Sequence, residues 1–127
     1  MDRRRKIDLA ELINEPWTHP LPETLAGARV ADAFRAHGLE VPQAIVTTGS
    51  LQLQNTLLAT GRFLTILPAT MLHFSAKRLS LKILPVKLAI PPWPVGITTL
   101  KDRMLNPAAQ LFIACAREIS KPLAKSK

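Results

Sequence analysis

IVTTGSLQLQNTLLATGRFLTILP, residues 45–68, places two short apolar runs on either side of a helix-like segment. Ile45-Val46 and Leu64-Thr65-Ile66-Leu67 read as buried strands, because uncharged, β-branched runs suit a sheet covered on both faces. Between them Ser50 to Thr60 reads as a helix, with Gly61 just beyond it as a terminating glycine. Its large residues Leu51, Leu53, Leu57 and Leu58 cover a broad arc, as on a helix that packs on a sheet and on something else besides. The first strand hands over to this helix through Thr47-Thr48-Gly49-Ser50, a turn of small residues rich in hydroxyls.

The same alternation continues outward. Upstream, Asp8 to Asn14 fits a short helical turn, and Pro16-Trp17-Thr18-His19-Pro20 fits an extended piece bracketed by prolines. Glu23 to His37 has helical periodicity, with Ala26, Val30, Ala33 and Phe34 on one face and Arg29, Asp32 and Arg35 on the other. Gly38 ends it, and Gln43 to Val46 is the next strand. Downstream, Thr70 to Phe74 starts a short helix and Leu81 to Leu84 is a strand. Ile90-Pro91-Pro92-Trp93-Pro94 is stiff and extended. Val95 to Leu100 alternates like a strand. Asn106-Pro107 opens a last helix running to about Ser120. On it Leu105, Ala108, Phe112, Cys115, Ala116 and Ile119 form an apolar stripe. Strands alternating with helices at these loop lengths give an α/β fold with a mostly parallel sheet flanked by helices.

Composition narrows the function classes. The 127 residues make one domain or part of one, and a hydrophobic fraction of 47% is that of a folded chain. The apolar runs fall short of the roughly 18 residues that cross a bilayer, and the basic start lacks a signal-peptide core, which predicts a cytoplasmic protein without membrane contact. One cysteine, Cys115, fits a reducing compartment. The net charge of +8 is concentrated at the ends, in Arg3, Arg4, Arg5 and Lys6 and in Lys121, Lys125 and Lys127, as in solvated tails rather than a nucleic-acid-binding stripe.

No catalytic constellation is visible, so the chain reads as a non-enzyme without cofactor. His19, His37 and His73 have no ligand-spaced partners, which argues against a metal site. Cys115 lies in an apolar stripe and reads as a small hydrophobe. The carboxylates are scattered, and phosphate loops and serine elbows are missing. The turn Thr47-Thr48-Gly49-Ser50 remains. It lies at the carboxyl end of a strand, where α/β sheets bind ligands, and at a helix start whose free N–H groups favour an anion. The competing reading is that Ser50 or Thr48 caps the helix and nothing binds.

The order of elements resembles a known family. DLAELINEPWTHP, VADAFRAHGLEVP, TTGSLQLQNTLLATGRFLTILPATML, LKILPVKL and PVGITTLKDRMLNPAAQLFIACARE together resemble the effector-binding domain of LysR-type transcriptional regulators, from about Ile7 to Leu123. The resemblance implies a type 2 periplasmic-binding-protein-like fold, with two α/β lobes and a small effector between them. It divides the chain into 1–15, a basic tail and the end of a first-lobe segment; 16–90, the second lobe; and 91–127, a return strand and helix of a first lobe that is incomplete here.

The resemblance also implies roles. Thr18, His19, Pro20, Thr47, Thr48, Gly49 and Ser50 would form the second-lobe wall of the effector site, for an effector that is an organic acid. Leu25, Ala28, Arg29 and Asp32, on the outer face of the helix Glu23 to His37, would line a homodimer interface, one form of which exchanges the last strand and helix. DNA would be bound only through a helix-turn-helix that these residues do not contain. The alternative role is an interaction module that pairs with a full-length regulator without sensing a ligand.

Overall fold

A computed structural model describes residues 5–72, 80–92 and 95–124, and among these two strands, three α-helices seen over their full length and a 3-10 turn organise the chain. They fall into two compact units, Met1–Pro91 and Pro92–Lys127.

The first unit is built on parallel backbone pairing. Strand β1 (Thr18–His19) pairs with β2 (Val46–Thr47) in the register Thr18 to Val46 and His19 to Thr47. On the other edge of β1, Thr18 N–H donates to the Leu64 carbonyl at 2.9 Å and Leu64 N–H to the Pro16 carbonyl at 2.9 Å. A further parallel bridge joins Ile7 to Val86. The expected strands are therefore present as pairings but are shorter or displaced. The run 64–67 contributes one bridge at Leu64, and pairing expected at 81–84 occurs instead at Val86, beyond Pro85, whose ring leaves no N–H for a ladder.

Local chemistry sets the helix ends. The 3-10 turn Leu9–Leu12 opens with a capping box: Asp8 accepts from Ala10 N–H, and the Glu11 side chain accepts from Asp8 N–H at 3.1 Å. Helix α1 (Leu25–Ala36) is capped by Thr24, whose Oγ1 accepts from Gly27 N–H at 3.1 Å. Gly38 beyond its end has φ +68°, a left-handed conformation that glycine adopts without steric cost. The face of α1 turned to the core is Gly27, Val30, Ala33 and Phe34. Ala26, expected on that face, is exposed and Gly27 takes its place. A Cβ at Gly27 would lie 2.2 Å from the Leu21 carbonyl oxygen, so only glycine lets the helix start sit this close to the preceding loop.

Helix α2 (Leu51–Ala59) also departs from the expected arc. Leu51 and Leu53 are exposed, Leu57 and Leu58 are half-buried, and the buried residue is Gln54. Its amide donates to Thr65 Oγ1 at 2.9 Å, which satisfies the buried polar end. The core of this unit joins Leu9, Trp17, Val30 and Phe34, with Leu12, Leu39, Leu64, Ile66, Val86 and Leu88 packed around them. Trp17 meets Phe34 edge to face at 5.2 Å, and its indole N–H donates to the Leu12 carbonyl at 2.8 Å. His37, at the end of α1, is half-buried and its Nε2 accepts from Ala89 N–H at 3.2 Å.

The second unit is one long helix with an irregular approach. Helix α3 (Pro107–Ala124) starts where Asn106-Pro107 predicted, with Asn106 Oδ1 accepting from Ala109 N–H at 2.7 Å. It runs past Ser120, through Pro122. The expected strand over 95–100 is not formed; a strand exists only through a partner for its backbone groups. The stripe on α3 is largely open: Phe112 and Ile119 are each 66% exposed, and Cys115 is exposed rather than packed. Residues 69–72 are helical as expected. Phe74, His73, Trp93, Pro94 and the terminal Arg3, Arg4, Lys125 and Lys127 lie outside the described residues.

Candidate functional site

Parallel pairing brings the carboxyl ends of β1 and β2 to the same edge. Ile45 N–H donates to the Trp17 carbonyl at 2.9 Å, and Thr48 N–H donates to the His19 carbonyl at 3.0 Å. Pro20 leaves β1 beside the turn that leaves β2, so the two predicted halves of the site, Thr18 to Pro20 and Thr47 to Ser50, meet in space.

The turn is tied together from within. Thr48 Oγ1 accepts from Ser50 N–H at 3.0 Å. Ser50 Oγ accepts from Leu53 N–H at 3.3 Å, and its carbonyl accepts from Gln54 N–H at 3.0 Å. Ser50 is thus the N-cap of α2. The cap leaves donors over. The N–H groups of Leu51 and Gln52 lie upstream of the first intrahelical bond and face out of the helix end. No acidic side chain sits in the first turn of α2 to compete for them. Thr47 is exposed, and Gly49 lies where a Cβ would come within 3.3 Å of the Leu21 side chain. An exposed hydroxyl, an open glycine and free helix N–H groups suit an anionic or hydrogen-bonding ligand.

Thr18 and His19 lie under this edge rather than on it. Thr18 is fully buried and His19 is 6% exposed. The imidazole stacks on Trp17 at 5.5 Å and meets Phe34 edge-on at 6.2 Å. Its Nε2 lies 3.2 Å from the Pro42 carbonyl. A carbonyl only accepts, so Nε2 carries the proton in this contact, and Nδ1 is a buried lone pair without a partner. Burial pushes the His19 pKa below its ordinary value, against the pull of the Pro42 and Thr18 carbonyls, which favour the charged ring. The Thr18 hydroxyl is likewise buried and unpartnered. These two residues are buried beneath the edge, while Pro20, Thr47, Thr48, Gly49 and Ser50 are at least partly accessible.

The face of α1 singled out from the sequence lies elsewhere on the unit. Leu25 is 74% exposed, Ala28 and Asp32 are exposed, and Arg29 is half-buried. Asp32 pairs with Arg35 at 3.0 Å, and Arg29 reaches the Pro91 carbonyl at 3.5 Å. Among the described residues no group of three or more His, Cys, Asp or Glu could hold a metal ion, and no helix is long and apolar enough to cross a membrane. Sequence reasoning missed Gln54. It lies between leucines in a helix, and its burial follows from Thr65, eleven residues away. No local signal reveals that.

Comparison with known proteins adds three findings. The LysR substrate binding domain family matches residues 1–121. The HTH-type transcriptional regulator GbpR of Azospirillum brasilense is 27% identical over 116 residues, covering 91% of this chain and 34% of that protein. The chain therefore spans about a third of the length of this relative. No solved structure matches it.

Proposed function

The chain belongs to the LysR substrate-binding domain family, with its type 2 periplasmic-binding-protein-like fold, and on that premise we propose that it forms the effector-sensing second lobe of a cytoplasmic, non-enzymatic transcriptional regulator. In this reading residues 16–90 are the second lobe and 91–127 return to a first lobe. The effector is a small organic acid held at Thr47 to Ser50, with Thr18, His19 and Pro20 shaping the floor and edge. The observation that carries it is the start of α2: free N–H groups of Leu51 and Gln52 beside an exposed Thr47, at the carboxyl edge of parallel strands. DNA contact would belong to a helix-turn-helix domain outside these 127 residues.

Calorimetric titration with benzoate, a small carboxylate probe, tests the reading. Wild-type chain is expected to bind it, and Thr47→Val to bind several-fold more weakly with an unchanged melting temperature. Equal binding by both, or none by the wild type, refutes the site.

The homodimer is part of the same proposal, through Leu25, Ala28, Arg29 and Asp32 of α1. A second reading has support of its own. Val95 is 98% exposed, Met104 is 96% exposed, and Phe112 and Ile119 are open. So much exposed apolar surface on residues 92–127 fits a piece that pairs with further protein, either its own first lobe or a full-length regulator.

A further inference from the structure

We propose that the first unit holds a second ligand site, distinct from the turn Thr47 to Ser50: an apolar cavity that takes one small, uncharged ring. The cavity has a volume of about 210 Å³ and is walled by Leu9, Leu58, Leu64, Ile66, Val86 and Leu88. An engineered cavity of about 150 Å³ with a similar aliphatic and aromatic lining takes up benzene, so the space suffices for a single substituted ring. Pockets for drug-sized ligands start at about 300 Å³, so a fused or extended system does not fit.

The polar side chains of the wall decide the ligand's chemistry. Among the described residues they are Trp17, Thr65 and Lys82. The Trp17 indole N–H is given to the Leu12 carbonyl at 2.8 Å, and Thr65 Oγ1 accepts the Gln54 amide at 2.9 Å, which leaves the Thr65 O–H as the one donor inside the wall. Lys82 is exposed, and with Ile83, 60% exposed, it marks the side that borders solvent. A polar substituent carried inward would exchange its full hydration for at most the one hydroxyl of Thr65. A hydrocarbon ring loses nothing polar and gains dispersion contacts with the aliphatic wall. The wall is held apart by backbone pairing, because Leu64 is bonded both to Pro16 and to Thr18, and Ile7 N–H donates to the Pro85 carbonyl at 3.2 Å.

Toluene is the probe, titrated into the full chain and followed by methyl NMR. Saturable shifts are expected at Leu58, Leu64, Ile66 and Val86, with a raised melting temperature. Benzyl alcohol, the same ring with a hydroxyl, is expected to bind about tenfold more weakly. Val86→Leu and Leu88→Phe, which fill the space by different routes, are each expected to abolish or greatly weaken binding. Thr47→Val leaves toluene binding unchanged, so this result stands or falls apart from that of the effector turn. Absence of saturable methyl shifts, equal binding of benzyl alcohol, or undiminished binding by both filled variants overturns the proposal.

Discussion

Thr48 donates its backbone N–H to the carbonyl of His19 at 3.0 Å, so the exposed turn is fastened to a strand whose side chains are buried. Side chains that could meet a ligand and side chains that fix the sheet alternate within a few residues. Substitutions in the two sets therefore have separable effects.

Ser50 and Thr47 separate them most cleanly. Ser50→Ala removes the cap of α2 and is expected to cost about 1 kcal/mol of stability, measured by urea unfolding. Thr47→Val removes an exposed hydroxyl and is expected to leave the urea midpoint unchanged while weakening carboxylate binding.

Gly27→Ala tests the approach of α1 to Leu21. The added carbon would meet the Leu21 carbonyl oxygen at 2.2 Å, a backbone atom that cannot swing away. Overpacking of this kind costs about 1–3 kcal/mol, read as a lowered denaturation midpoint. Ala26→Gly, one position away on an exposed face, is expected to lose only the helix-propensity difference of about 1 kcal/mol.

Gln54→Ala leaves a small void and an unpaired hydroxyl on Thr65, with an expected loss of about 1–3 kcal/mol. The double variant Gln54→Leu with Thr65→Val, which removes both polar ends, is expected to recover much of that loss in the same unfolding assay.

His19 makes stability depend on pH. Its folded pKa is lowered by burial, so the unfolded chain binds the proton first as pH falls. The stability held by the neutral ring is complete above about pH 6.5, the ordinary histidine value, and declines below it until the folded pKa is passed. Unfolding free energies measured between pH 8 and pH 5 are expected to fall in the wild type. In His19→Leu this part of the slope disappears.

Local chemistry made much of the fold legible. Ser50 and Asn106 were readable as caps, and Gly38 and Gly61 as stops, because each acts on its own few residues. Strand extents were not, because pairing depends on partners far along the chain. Leu64 to Leu67 has the composition of a strand, yet only Leu64 forms a bridge. The one-residue rotation of α1, Gly27 in place of Ala26, follows from the loop at Leu21, which no helical periodicity encodes. In the candidate site the hydroxyl-rich turn was visible as a strand-to-helix passage. The burial of Thr18 and His19 was not; that of His19 comes from Phe34 and Trp17 closing on its ring.

The most direct test of the account is a backbone amide NMR titration of the chain with benzoate. Saturable shifts are expected to centre on Gly49, Leu51 and Gln52, the N–H groups at the start of α2. Saturable binding centred elsewhere, or no shift at these three amides, would contradict the assignment of this turn as the effector site.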